Sequence, residues 1–167
     1  MKSVNLILAV AHNGAIGLKG QLPWKLPEEW QYFLETTRGG ILVHGRKCQD
    51  HHGKPLPDRE VIVLSRNKDY VPPAGAKVAH SVKEGIALAQ ASAHVGPIWI
   101  GGEPEIYKEA LPLADLVYLT EIHADFPGDV FLPWETFAQA GFTKVMSEKP
   151  GHSGAVQYVI KVLGRGK

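Results

Sequence analysis

The sequence predicts an α/β fold: a single domain on a mostly parallel central sheet of about eight strands, finished by an antiparallel C-terminal hairpin and flanked by about four helices. Three observations carry that prediction. Short apolar runs with almost no polar interruption recur before Pro112, as strands buried on both faces require. Stretches with helical patterning fall between these runs, so successive strands are joined by crossovers and lie parallel. After Pro112 the helical pattern thins and strand-like runs follow one another directly, as hairpins do.

The elements follow in order. NLILAVA is the first apolar run. The start MKSVNLILAV resembles a signal peptide, but the run is short and AHNGAIG has no small-x-small cleavage site. It reads instead as the buried first strand of a cytoplasmic protein. A helix is expected over residues 27–38. Pro27 suits its first position, because the missing N–H would have no partner there and φ is already set. Glu28 and Glu29 then place negative charge in the first turn, where the helix dipole favours it. GILVHG is the next strand, with a helix starting just after Gly45. REVIVLS and KVAHS are two more strands, followed by a helix over 82–93. GPIWIGG leads into a helix over 105–111, with Pro104 near its first position. ADLVYLTEIHADF, a short edge near 130–132, GFTKVMSEK and AVQYVIKVL complete the sheet.

Bulk properties narrow the function. A chain of 167 residues fits one domain with a real core. The balance of 18 basic against 17 acidic residues creates no field for nucleic acid or a membrane surface. The single cysteine excludes an intrachain disulfide framework. No apolar stretch is long enough to cross a bilayer as a helix. There is no repeat, low-complexity tract or interdomain linker, and a monomer is expected.

The stretch QLPWKLPEEW holds the first candidate for chemistry. At ~100° per residue, Trp30, Phe33, Leu34 and Thr37 fall on one stripe of the helix. Glu28 points away from that stripe into water. Glu29 lies on its border, one turn before Phe33. A carboxylate beside aromatic rings loses solvation, which raises its pKa and suits it to proton transfer.

Ligands of open α/β sheets bind beyond the carboxyl ends of the strands, and three such ends carry suitable residues. Gly101 and Gly102 stand between a strand and a helix start, where backbone can approach a phosphate closely. Gly45 is followed by Arg46 and Lys47. Ser65 and Arg66 end a third strand, with no acid to bind ribose hydroxyls. An arginine at such a place accommodates the 2′-phosphate of NADP, so the pattern points toward NADPH. His44, Cys48, His51 and His52 offer a rival reading as metal ligands. Gly45 breaks strand from helix between the first two, however, and adjacent histidines diverge, so no metal is expected.

Taken in order, NLILAVAHNGAIG, LPW, LPEE, HGRK, GKPLPDR, VIVLSR, IWIGG, YLTEI and GDVFLP resemble dihydrofolate reductase of the bacterial type, over residues 4 to 160. The resemblance implies NADPH-dependent reduction of 7,8-dihydrofolate to tetrahydrofolate, with hydride to C6 and a proton to N5, and inhibition by antifolates. It gives Glu29 the role of the active-site acid, binding the pterin 2-amino group and N3. It makes Trp24 the anchor of a water near that acid, and Thr120 a hydrogen-bond partner of its carboxylate. Ile7, Ala9, Trp30, Phe33, Leu56 and Ile100 match the pterin and benzoyl walls, and Arg59 the arginine that pairs with the glutamate tail. Ala9, Ile16, Gly45, Arg46, Lys47, Cys48, Ser65, Arg66, Gly101, Gly102 and Tyr107 match positions along NADPH. Residues 13–24 match the loop that closes over nicotinamide.

The chain departs from that pattern in four places. His44 and Cys48 stand where the family has an apolar residue and a threonine. Trp30 is bulkier than the usual leucine or phenylalanine. GGEPEIY has one residue more than the common spacing before its tyrosine. Two other functions compete with the resemblance: a same-fold reductase acting on a ribosylated pyrimidine, and a protein that binds dinucleotide or folate without turnover. Glu29 after LPW and Arg59 after PLP argue against the pyrimidine reductase, because they read pterin and glutamate.

Overall fold

The structure, a computed structural model, describes residues 1–166. Its centre is an eight-stranded sheet built from β1 (Val4–Ala11), β3 (Ile41–Gly45), β4 (Glu60–Leu64), β5 (Ala76–Ala79), β6 (Ile98–Ile100), β7 (Leu116–Ile122), β9 (Lys144–Ser153) and β10 (Val156–Gly164). The spatial order is β5-β4-β3-β6-β1-β7-β10-β9. The first six pair in parallel, and β10 runs antiparallel to both β7 and β9. The expected mostly parallel sheet with an antiparallel C-terminal hairpin is therefore what forms. A separate two-stranded ribbon pairs β2 (Ala15–Gly17) with β8 (Val130–Phe131). The first of these was not legible in the sequence, because three residues are too few to show alternation.

Alternate residues of each strand face different helices. Leu6, Leu8 and Val10 point to one side, with Val43, Ile98 and Ile100. There they meet α3 (Val82–Ala91), α4 (Pro104–Ala110) and α5 (Glu135–Gln139) through Val82, Ala89, Ile106, Ala110 and Phe137. Ile7, Leu42 and Trp99 face the other side, against Tyr32 and Phe33 of α1 (Pro27–Thr37). All of β3, and all of β1 except half-buried Ala9, is buried because both faces are covered. α2 (Arg46–His52) starts directly after β3, with Gly45 as its N-cap.

Local chemistry explains the ends of the helices. Pro27 and Pro104 open α1 and α4 as expected. Ser81 Oγ accepts the Glu84 N–H and so caps the start of α3, and the Glu84 carboxylate accepts the N–H of His80, the residue before the cap. One helix more than expected is present, since the five residues of α5 are too short to display a helical period. The last strand pair is longer than expected, with β9 continuing through Pro150 to Ser153. A proline is tolerated there because β9 is the sheet edge. No helix among the described residues is long and apolar enough to cross a membrane.

Candidate active site

Glu29 sits in the first turn of α1. It is 6% exposed, against the water-facing position of Glu28 on the same turn. Burial raises its carboxyl pKa to about 7. Burial also raises the phenols of Tyr32, Tyr107 and Tyr158, and the Glu29 charge adds to each shift. Glu28 is not simply solvated, as its spacing suggested. Its carboxylate accepts a hydrogen bond from Ser153 Oγ, which ties the first turn of α1 to the end of β9 and lowers the Glu28 pKa.

Trp24 lies in the loop before α1, and Thr120 lies on β7. Trp24 is buried in a cluster with Ala11, Ala15, Leu26, Ile122 and Tyr158, against half-buried Ala9, and meets Phe126 edge-on at 5.5 Å. Its indole Nε1–H is buried without a hydrogen-bond partner. Leaving such a donor unmet costs about 1–3 kcal/mol, so the position suits a water or a ligand acceptor. Thr120 is buried on β7 opposite Ala9 of β1. No hydrogen bond joins Thr120 to Glu29 among the described residues, so the direct contact implied by the resemblance is not formed in this structure.

The apolar wall is brought together by α1 and the loop after α2. Ile7, Phe33 and Leu56 share one cluster with Tyr32, Leu42, Trp99 and Tyr118. Ile100 does not join it: its side chain is packed in the core on the other face of the sheet, and only its place at the carboxyl end of β6 leaves it beside the cleft. Trp30 is stacked between Phe33 at 5.0 Å and His52 at 5.4 Å. His52 in turn stacks on His44 at 6.1 Å. The histidines thus continue an aromatic column instead of converging on an ion. No group of three metal-ligating side chains occurs among the described residues. His44 is held neutral, its pKa lowered to about 4 by burial, with Nε2 2.9 Å from Gln49 Oε1.

At the far end of that wall, Arg59 donates from Nη2 to the Leu34 carbonyl at 2.9 Å. Its Nε and Nη1 are buried and unpaired. One nitrogen of a planar fork is thus anchored while two others have no partner, so the guanidinium has donors to spare for a carboxylate.

The strand ends form a second region. Gly102 has φ +116°, and a Cβ there would approach the Gly45 nitrogen to 3.0 Å. A Cβ on Gly45 would come within 2.9 Å of Glu103 and Ile106. Gly102 therefore needs glycine, and the backbones of the two residues lie side by side. Tyr107 secures the turn: its hydroxyl accepts the Gly102 N–H at 2.9 Å and reaches the Ile7 carbonyl at 3.4 Å. Gly101 donates its N–H to the Val43 carbonyl. Cys48 packs beside this turn, its thiol raised to about 11 by burial, and Ile16 of β2 is half-buried against the main core.

Beyond the glycines runs an open groove of about 310 Å³, lined by Arg46, Lys47, Ser65 and Arg66 among others. A glycine cradle leading into a groove with three strong cations suits a dinucleotide phosphate chain. A family model described as dihydrofolate reductase matches residues 3–165. The chain is a member of the dihydrofolate reductase family. It is 35% identical over 162 residues to dihydrofolate reductase type A13 of Escherichia coli, covering 97% of this chain and 94% of that one. It is 40% identical over 121 residues to dihydrofolate reductase of Enterococcus faecium, covering 72% and 71%. Among solved structures, a dihydrofolate reductase from Enterococcus faecalis complexed with NADP(H) and RAB-propyl superposes with TM-score 0.87 at 34% identity, covering 99% of this chain and 97% of that one.

Several groove residues of this family member escaped the sequence reading: Asn67, His80, Ser81, Glu103, Glu105 and Glu109. His80 had a usable signal. It follows β5 at a carboxyl end, and its Nδ1–H donates to the Ser65 carbonyl at 2.8 Å. The glutamates had none, because acids on a short helix read as ordinary solvated residues.

Proposed function

We propose that this reductase converts 7,8-dihydrofolate to 5,6,7,8-tetrahydrofolate with NADPH, C6 receiving the hydride and N5 the proton. The observation that carries the reading is Glu29, a carboxyl buried in the first turn of α1 with its pKa raised to about 7. When bound, the nicotinamide supplies the hydride. Gly45, Gly101 and Gly102 would hold the phosphate chain, with Arg46, Lys47, Ser65 and Arg66 along the adjoining groove.

The chain's own residues supply the rest. Near neutral pH Glu29 is protonated in a large fraction of molecules, so it can take the pterin 2-amino group and N3 and still deliver a proton. Trp24, with its unpaired buried Nε1–H, holds a water that passes the proton toward N5. Ile7, Phe33, Leu56 and Trp30 exclude solvent around the ring system, which keeps Glu29 desolvated. The guanidinium of Arg59, whose Nε and Nη1 lack a partner, pairs with the α-carboxylate of the glutamate tail. The loop 13–24, carrying β2 and a Leu18–Gln21 bridge, closes over the reacting face.

A dihydrofolate-dependent assay of NADPH oxidation tests this reading against its rivals. Turnover is expected with dihydrofolate and not with a ribosylated aminopyrimidine; binding without turnover would refute it. Arg59→Ala should raise KM for dihydrofolate by about 10- to 100-fold, the value of a charge-assisted contact. A pterin lacking the glutamate tail should be almost unaffected. Equal losses for the two substrates would make Arg59 a structural residue.

A further inference from the structure

We propose that Glu105 and Glu109 set the cofactor selectivity of this enzyme, by opposing the 2′-phosphate of NADPH at Arg66. The proposal rests on the NADPH reading above and concerns how strongly the site prefers that cofactor over NADH.

The groove beyond the glycine cradle is not a simple cationic trough. Arg46, Lys47 and Arg66 line it, but so do Glu103, Glu105 and Glu109. Arg66 is already engaged. Its Nη2 lies 3.4 Å from Glu105 Oε2 and 3.4 Å from Glu109 Oε1, so one guanidinium nitrogen is shared between two carboxylates. The two glutamates are four residues apart on α4, which puts them on one face of the helix. At that spacing like charges repel each other, and Arg66 offsets the repulsion.

A phosphomonoester arriving at Arg66 must therefore either draw the guanidinium off both glutamates or share it with them. In the first case the two carboxylates are left facing each other. In the second, the doubly charged phosphate sits close to two further negative charges. Both routes subtract from the attraction that Arg66 alone would provide. NADH carries a neutral hydroxyl at that position and meets no such opposition. The enzyme consequently discriminates between the two cofactors less than its arginine would allow. Arg66 is 78% exposed and its partners 76% and 50%, so replacing the acids leaves the core untouched.

The test is equilibrium cofactor binding to the whole protein, read by tryptophan fluorescence quenching, for the parent and for the double variant Glu105→Gln with Glu109→Gln. At low ionic strength the variant should bind NADPH roughly three- to tenfold more tightly, the range expected for relieving two exposed charge contacts. NADH affinity should change by less than about twofold, and added salt should shrink the NADPH gain. Glu135→Gln, on α5 and outside the groove, controls for net charge and should leave both affinities unchanged. An unchanged or weaker NADPH affinity in the variant would overturn the proposal. Equal tightening toward both cofactors would also overturn it, since the carboxylates would then act on the common part of the dinucleotide. A parent that binds no NADPH would instead bring down the cofactor reading itself.

Discussion

Glu29 is an expensive residue for the folded chain as well as a useful one. Its pKa rises from an ordinary 4.5 to about 7 because burial disfavours the charge. A group protonated more readily in the folded state contributes no penalty below pH 4.5, where both states are neutral. The penalty grows as pH rises toward 7 and is constant above it, reaching roughly 3 kcal/mol from ~1.4 kcal/mol per pKa unit. Glu29→Gln should thus stabilise the ligand-free protein by about 1–3 kcal/mol at pH 8, with a much smaller effect at pH 4, as read by urea unfolding. Equal stability at pH 8 would mean that the acid is not desolvated. This residue was legible from spacing alone, because a helix border beside Trp30 and Phe33 can be counted along the sequence. The unpaired donors of Trp24 and Arg59 were not, since they depend on what the folded neighbours fail to offer.

At the scale of elements, the apolar runs read correctly wherever a strand is covered on both faces, as in β1 and β3. Reading failed for β2 and α5, whose three and five residues carry no measurable period and are held by partners distant in sequence. The side of the sheet to which a strand residue points also needs the register. Ile100 and Trp99 are neighbours in sequence, yet they belong to opposite faces. The element that most directly joins fold to function is the turn between β6 and α4. Gly102 combines φ +116° with close approach to Gly45, and Tyr107 locks it. Gly102→Ala should cost about 1–3 kcal/mol of stability, the usual range for such backbone strain. It should also weaken NADPH binding, because the cradle must open to admit the methyl group. A variant with unchanged thermal midpoint and unchanged NADPH affinity would remove the turn from the cofactor site.

The whole molecule divides its labour between the two faces of one sheet. α3, α4 and α5 bury the larger core, while Tyr32 and Phe33 of α1 pack on the other side with Ile7, Leu42 and Trp99. The groove lined by Arg46, Lys47, Ser65 and Arg66 opens where the strand ends meet α4. The account stands on Glu29 as the proton donor. Its most direct test is the pH dependence of dihydrofolate-dependent NADPH oxidation in the parent and in Glu29→Gln. The parent rate should fall as pH rises through about 7, where the carboxyl loses its proton. The Gln variant should be slower at pH 7 by on the order of 100-fold or more, the usual worth of a positioned acid. Its rate should recover continuously as pH is lowered, when substrate protonated in solution bypasses the missing group. A Gln variant within a few-fold of the parent at pH 7, or a parent rate indifferent to pH across that range, would contradict the account.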